Sequence, residues 1–390
     1  MSGSHGTTGC GGGPGLNHSF DVVVVGGGVI GCSTAFHLAR KGAKVMVVEK
    51  QSLGGHALTL TAGILAAQME ADAPDAFLDL RRASRALFPT LVDEITELSG
   101  IDPEFEASGV WHAAASEEDK VALLEKKRWQ EGRALPVEWL ESNAVRQVHP
   151  GIGENFGALY CPADAQIESG LWVQALIEAS RRKGVRFMDH APFPMEFVRD
   201  RRRVAGIRTK DDVVSCDQMI LTAGAWTSFL LEKLRISLPL QPVKGELMVL
   251  AGVPRAFRGP VFAAAGYVVP HPDGRLVIGS TEDRVGFNAQ PTLEAQRTLA
   301  DWAALWCPGL SGLPVVEFQA GLRPGTADHR PVMGRLWDYD NLFISAGHYK
   351  SGILLSPFAG QFMADGILDS RWDPLGLPFS PERFHGKVPG

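Results

Sequence analysis

Asp21-Val22-Val23-Val24-Val25-Gly26-Gly27-Gly28-Val29-Ile30-Gly31 opens a stretch that closes on Val45-Met46-Val47-Val48-Glu49. An unbroken valine run reads as a strand buried on both faces. The glycines fall where that strand must turn into a helix. Gly26 permits the tight turn, Gly28 lets the backbone approach a pyrophosphate, and Gly31 lets the helix pack close to the strand. The helix starting at Val29 and Ile30 offers free N–H groups and a positive dipole end to phosphate oxygens. Glu49 ends the second strand about twenty residues on, where an acid accepts hydrogen bonds from an adenosine ribose. A lone Gly-x-Gly-x-x-Gly marks many ordinary turns. Strand, turn, helix, second strand and acid in this order predict a bound dinucleotide. The motif does not separate FAD from NAD. Glu49 disfavours a 2′-phosphate, and Lys50 beside it weakens that argument slightly.

A chain of 390 residues predicts two domains, or one large domain with insertions. Its 45% hydrophobic and 21% charged content is that of a globular protein. A net charge of −6 gives no electrostatic case for nucleic acid or an anionic membrane. No apolar run reaches the ~20 residues of a membrane-spanning helix. Cys10, Cys32, Cys161, Cys216 and Cys307 are scattered and lack Cys-x-x-Cys spacing. They read as reduced thiols of a cytoplasmic protein with no metal site and no disulfide framework. Residues 1–19 are rich in Gly, Ser, Thr and His, without the apolar core of a signal peptide, and read as a flexible tail.

Further along, Gly54 to Ala67 is a small-residue segment suited to lying against a flat group. Helical periodicity runs from Asp75 to Leu98, with Pro89 expected to bend or split it. Glu117–Glu131, Leu171–Lys183, Leu293–Trp306 and Gly352–Leu368 are also expected helices, the last with Ser356-Pro357 as N-cap and first residue. The basic run Asp200 to Arg203 reads as a solvated hairpin tip. Met219 to Thr222 is an apolar strand closed by Ala223-Gly224-Ala225-Trp226. Val243–Leu250, Gly266–Val269 and Arg275–Ser280 are expected strands of a separate sheet, inserted before the strand Leu342–Ala346.

Taken together, these pieces resemble the FAD-dependent amino acid and amine oxidases of the D-amino-acid-oxidase superfamily, and within it the glycine oxidases of the thiamine pathway. The resemblance rests on Gly26-x-Gly28-x-x-Gly31 with Glu49, and on Leu53-Gly54-Gly55 leading to Ala62-Gly63-Ile64-Leu65. It continues through Ala223-Gly224-Ala225-Trp226, Pro242-Val243-Lys244-Gly245-Glu246, Tyr267-Val268-Val269-Pro270, Ala320 to Thr326 and Gly347 to Leu355. It implies an α/β fold: a Rossmann-like FAD-binding domain built from discontinuous segments, plus an antiparallel-sheet substrate domain. The expected division gives residues 20–75, 150–235 and 330–375 to the first, 76–149 and 236–329 to the second, and 376–390 to a C-terminal tail.

The resemblance implies noncovalent FAD, a small amino acid or amine substrate, molecular oxygen as acceptor, and a homo-oligomer. It matches Arg323 to a carboxylate-binding arginine, whose planar fork suits two oxygens. Tyr267 matches a tyrosine whose hydroxyl helps hold the same carboxylate. Lys350 adds a positive charge near the cofactor or substrate. Around the cofactor the resemblance sets Lys50, His56, Thr59, Ala62, Gly63, Ile64, Ala223, Gly224 and Trp226, then Gly347, His348, Lys350, Ser351, Gly352, Ile353 and Leu354. Ile64, Ala265 and Glu282 are expected in the substrate pocket. Several positions depart from the glycine oxidases: Lys350 and His56 replace arginines, Ala57 and Leu58 replace hydroxyl residues, Ala265 replaces a histidine, and Glu282 replaces a methionine. Those departures put glycine in doubt as the main substrate and leave open a larger amine, or a D-amino acid or hydroxy acid dehydrogenase using another acceptor.

Overall fold

The computed structural model describes residues 18–55, 61–209, 213–252 and 257–386. Its first sheet has eight strands, and its path runs Val332–Arg335, Leu342–Ala346, Val213–Leu221, His18–Val25, Val45–Val48, Arg186–Met188. From Leu342–Ala346 to Arg186–Met188 all neighbours pair in parallel. The hairpin Glu196–Asp200 with Arg203–Arg208 joins at Val213–Leu221, so the basic run is a hairpin tip. Alternation along each strand sends Val22, Val24, Val45 and Val47 to one face and Val23, Val25, Met46 and Val48 to the other. The first face is covered by helices Val29–Arg40, Ala76–Ser99, Ser169–Arg182 and Gly352–Asp369. The second face packs on Leu230, Leu231 and Leu234 from the short helix Thr227–Lys233 and the turn after it. Burial on both faces explains why these strands read as unbroken apolar runs.

The second sheet also has eight strands, ordered Val315–Thr326, Leu240–Leu250, Leu276–Gly279, Gly266–Pro270, Val261–Ala263, Val110–Ala113, Ala158–Cys161, Glu138–Leu140. Its pairs are antiparallel except Val261–Ala263 beside Val110–Ala113. Helix Leu293–Trp306 packs Leu299, Ala303 and Trp302 against it.

Neither Pro89 nor Pro357 breaks its helix. Ala76–Ser99 runs through Pro89 as one helix. Pro89 is exposed, while Leu80, Phe88, Leu91 and Ile95 are buried on both sides of it, and that packing holds the helix together. The last helix starts at Gly352, so Ser356 and Pro357 lie inside it and do not cap it. Pro357 has no N–H for the carbonyl of Ile353 four residues back. The Ser356 hydroxyl donates to that carbonyl at 2.8 Å, and the Trp172 indole N–H donates to Ser356 Oγ at 3.1 Å.

Candidate active site

The turns that follow the parallel strands meet at one end of the first sheet, the place where such folds bind ligands. Gly26 to Gly28 follow His18–Val25, Glu49 and Lys50 follow Val45–Val48, Thr222 to Trp226 follow Val213–Leu221, and Gly347 to Lys350 follow Leu342–Ala346. Gly26 has φ +113°, and a Cβ there would sit 2.6 Å from the Thr222 carbonyl oxygen. The Thr222 hydroxyl donates to the carbonyl of Gly26 at 2.9 Å and pins the turn. A Cβ on Gly31 would lie 1.9 Å from the Gly26 oxygen. Gly28 is different: its φ is −77°, and a Cβ there would meet no atom of the other described residues within 4 Å. Neither backbone strain nor protein packing calls for glycine at 28; its open side faces the cavity it lines.

Glu49 Oε2 accepts from Gly27 N–H at 2.8 Å, and Oε1 accepts from Gln51 N–H at 3.0 Å. Each oxygen keeps a lone pair for a ribose hydroxyl. Lys50 Nζ stands 3.5 Å from the Trp226 ring centroid and 4.8 Å from that of Phe193, and burial lowers its pKa. Its charge is therefore directed at aromatic faces.

The same cavity continues to the second sheet, where Tyr267, Ser280, Leu322 and Arg323 line it. Here glycines make room for side chains. A Cβ on Gly245 would fall 2.2 Å from the Arg323 guanidinium, and one on Gly279 would fall 2.5 Å from the Tyr267 ring. Arg323 Nη1 donates to the Thr281 carbonyl at 3.0 Å, and Nη2 donates to Ser280 Oγ at 2.8 Å. Burial raises the Tyr267 phenol pKa against the pull of Arg323 and Ser280, and Glu70 adds to the rise. Phenol 267 is thus a neutral donor. The loop carrying Ser280 and Thr281 is tied to the backbone of Lys244 and Glu246: Glu246 N–H donates to the Thr281 hydroxyl at 3.2 Å, and Lys244 N–H to the Asp283 carbonyl at 2.8 Å. The side chains of Lys244 and Glu246 pair at 2.7 Å and are only 3% and 2% exposed. Glu246 also accepts from the N–H and hydroxyl of Thr292, at 2.8 and 2.9 Å.

Between the sheets lies the start of helix Gly352–Asp369. No side chain caps it, and Gly352 and Ile353 line the cavity, so its free N–H groups face a place suited to negative charge. Ser345 and His348 line the cavity too, and Ser345 Oγ and His348 Nε2 are buried without a hydrogen-bond partner among the described residues. Burial lowers the His348 pKa to about 3, so its imidazole is neutral.

Of the expected cofactor residues, Gly26, Gly28, Val29, Ile30, Glu49, Lys50, Ala62, Gly63, Ile64, Ala223, Gly224, Trp226, His348, Lys350, Gly352 and Ile353 line this cavity. Gly31 lies under the turn, and Gly347, at φ +71°, packs on Thr326. Leu354 is core: one residue past Ile353 the helix has turned about 100°, and its carbonyl accepts from the Ser84 hydroxyl. Ser351 lines a neighbouring cavity together with Glu282. Ala265 stands in the exposed two-residue turn between Val261–Ala263 and Gly266–Pro270, and it lines neither cavity. His56 and Thr59 lie outside the described residues. Sequence reading missed Glu70, Thr222, Gly245, Ser280 and Ser345. Gly245, inside a strand next to the arginine-bearing segment, carried a signal, since a strand glycine often marks a close approach.

Glu282 does not stand as a free acid. Lys350 Nζ is 2.7 Å from Glu282 Oε2, and the Tyr349 hydroxyl donates to Oε1. Burial works to raise the Glu282 pKa, but these two partners outweigh it and hold the carboxyl below its usual range.

An open cradle at Gly28, two uncapped helix starts, a carboxylate at the end of the second strand and two buried polar atoms unpartnered among the described residues, all along one cavity, fit FAD. The comparisons agree. Glycine oxidase from Geobacillus kaustophilus strain HTA426 is 33% identical over 380 residues, covering 96% of this chain and 99% of that one. Glycine oxidase from Bacillus licheniformis is 31% identical over 354 residues, with 90% and 94% covered. The crystal structure of the Geobacillus kaustophilus glycine oxidase superposes with a TM-score of 0.87 at 31% identity, over 93% of this chain and 98% of that one. Residues 21–366 match the FAD dependent oxidoreductase family, and the chain belongs to it.

Proposed function

We propose that this enzyme oxidises glycine or a similarly small amino acid or N-methyl amine. The substrate loses a hydride from carbon and a proton from nitrogen, and the imine takes up water to give an oxo acid and ammonia or an amine. When bound, FAD accepts the electron pair and passes it to molecular oxygen, which is released as hydrogen peroxide. Arg323 grips the substrate carboxylate as a fork, and the Tyr267 hydroxyl donates to the same group. Lys350 supplies positive charge at the cofactor's side of the pocket, with Glu282 as its counter-ion. Residues 20–75, 150–235 and 330–375 carry the cofactor in this reading, and 76–149 and 236–329 build the substrate side.

One observation carries the reading. A half-buried arginine and tyrosine, each given room by its own glycine, open onto the same cavity as the nucleotide turn. Fixing the carboxylate holds the α-carbon beside the cofactor, and positioning of this kind removes a large part of a barrier. The amine must be neutral to release its electrons, and neither Tyr267, held protonated, nor His348, whose pKa burial lowers to about 3, is a ready proton acceptor. The free amine is the reacting form, so turnover rises toward alkaline pH. The test is anaerobic mixing with glycine, sarcosine, D-alanine and D-proline, followed by oxygen. Bleaching of the flavin by at least one amine and recovery with peroxide release are expected. A flavin that none of them bleaches defeats the proposal, and bleaching without peroxide replaces the oxidase by a dehydrogenase.

A further inference from the structure

A second cavity adjoins the reaction site and shares Glu70, His348, Tyr349 and Lys350 with it. Asp72, Asp328 and His329 line this outer cavity and are exposed, so it opens to solvent. The shared residues therefore mark a passage from outside to the wall that carries Arg323 and Tyr267. Glu282 lines the outer cavity only, and it is joined to two residues of the passage. Its Oε2 is 2.7 Å from Lys350 Nζ, and its Oε1 accepts from the Tyr349 hydroxyl.

These contacts cross between the two sheets. Glu282 comes after strand Leu276–Gly279 of the second, and Tyr349 and Lys350 come after strand Leu342–Ala346 of the first. Exposed ion pairs usually contribute little, and the Glu282 and Lys350 side chains are 44% and 42% exposed. Here both sides are fixed in advance. The carbonyl of Thr281, one residue before Glu282, accepts from Arg323 at 3.0 Å. Asp283, one residue after it, exchanges two backbone hydrogen bonds with Lys244 at 2.8 and 2.9 Å. On the facing turn Tyr349 has φ +51°, a left-handed conformation uncommon in a bulky residue, and its ring lies 5.0 Å from that of His329. Backbone held in this way lowers the ordering entropy that makes most surface pairs weak.

We propose that Glu282 is a specificity-determining residue: with Lys350 and Tyr349 it bars the passage, so that the substrate nitrogen carries hydrogen or methyl and larger N-substituents are excluded. The assignment rests on the proposed oxidase reading and narrows its substrate class. A carboxylate seated on Arg323 and an α-carbon held beside the cofactor leave the passage as the way out for a group attached to nitrogen. A large group must then take the place of the bar, and the contacts it breaks are charge-assisted hydrogen bonds.

The test compares glycine, sarcosine, N-ethylglycine and N-benzylglycine by kcat/KM. In the wild type a fall of about tenfold or more from sarcosine to N-benzylglycine is expected, the size of one charged hydrogen bond, carried by KM rather than kcat. Glu282→Gln keeps the bulk and removes the charge, so the ratio should shrink to about threefold or less. Lys350→Met should shrink it equally, the double variant no further, and Lys350→Arg should keep it, because the two residues act as a unit. Additive changes make them separate parts of the wall and overturn the bar. A wild type that takes N-benzylglycine as readily as sarcosine overturns it even if no variant folds. Either outcome leaves the oxidase reading standing. If none of the amines reduces the flavin, that reading is lost, and binding of N-acetylglycine and N-benzoylglycine, followed by flavin absorbance, decides the bar. Tighter binding of the acetyl compound by about tenfold keeps it, and equal binding or none overturns it.

Discussion

The two ends of the cavity use glycine for opposite purposes. At the nucleotide end, Gly26 and Gly31 let backbone lie against backbone, and Gly28 leaves a space that none of the described residues fills. At the substrate end, Gly245 and Gly279 are each filled, by the Arg323 guanidinium and the Tyr267 ring. The first set is a turn whose shape is fixed by the chain itself. The second is a pair of sockets, each meaningful only through a side chain on a neighbouring strand. Damage at the first end should therefore be read in cofactor binding, and damage at the second in substrate use with the cofactor retained.

The largest effect is expected at Gly31. In Gly31→Ala the added methyl would lie 1.9 Å from the Gly26 oxygen, so the turn must open. Loss of bound flavin together with a lower melting temperature should follow, read from the ratio of flavin to protein absorbance and from a melt of the apoprotein. Gly28→Ala separates the two losses. Its methyl meets no atom of the other described residues within 4 Å, so the apoprotein should melt as the wild type does. Affinity for FAD should nonetheless fall by about tenfold to a hundredfold, the ~1–3 kcal/mol of an overpacked contact. A Gly28→Ala protein that binds FAD as tightly as the wild type would mean that the pyrophosphate does not approach there.

At the other end, Arg323→Met should raise substrate KM by about a hundredfold or more, given ~1.5–3 kcal/mol for each charged hydrogen bond lost. Flavin content should stay at the wild-type level. Gly245→Ala reaches the same arginine indirectly, since the new methyl occupies the place of its guanidinium, 2.2 Å away. A smaller loss of kcat/KM is expected, about tenfold, because a long side chain can shift at a cost of ~1–3 kcal/mol. If Gly245→Ala sheds flavin while keeping its KM, the contrast between the two ends is wrong.

The same contrast explains what could be read from the sequence. Asp21 to Glu49 is local: each expected role rests on neighbours within thirty positions, and the strand, turn, helix and second strand stand where they were read, with Glu49 accepting from the Gly27 N–H at the turn. Helices Glu117–Glu131 and Leu293–Trp306 and strand Leu342–Ala346 carry their periodicity in one segment and keep the expected ends. Pro89 does not split its helix and Pro357 does not start its own, because tertiary contacts outweigh their local penalty: buried Phe88 and Leu91 at the first, and the Ser356 hydroxyl serving the freed Ile353 carbonyl at the second. Glu282 read as a loose charge facing the substrate, because its partners Lys350 and Tyr349 are more than sixty positions away. Glu70 gave no signal, since nothing local joins a loop after one strand to the strands of another sheet.

Acid stability offers a subtler probe of both halves. His37 lies in helix Val29–Arg40 on the nucleotide side, and His149 touches Trp111 under the second sheet. Burial lowers their pKa values to about 3 and about 4, and Nε2 of each lacks a partner. The unfolded chain takes up these protons near pH 6.5, whereas the folded chain does not until far lower pH. The unfolded state therefore binds more protons below pH 6.5, and stability is lost as pH falls from there toward the folded values. At pH 5 each histidine costs on the order of 2 kcal/mol relative to pH 7.5. His37→Phe and His149→Phe should each recover about that amount in the difference between urea unfolding at pH 5 and at pH 7.5. Taking a difference cancels any repacking cost of the larger ring. If both variants move one shared transition, the nucleotide and substrate halves unfold together, and the two ends of the cavity differ in chemistry but not in cohesion. If each moves a transition of its own, the halves are separate folding units. An acid limb unchanged in both variants would mean that these imidazoles already take up protons in the folded protein.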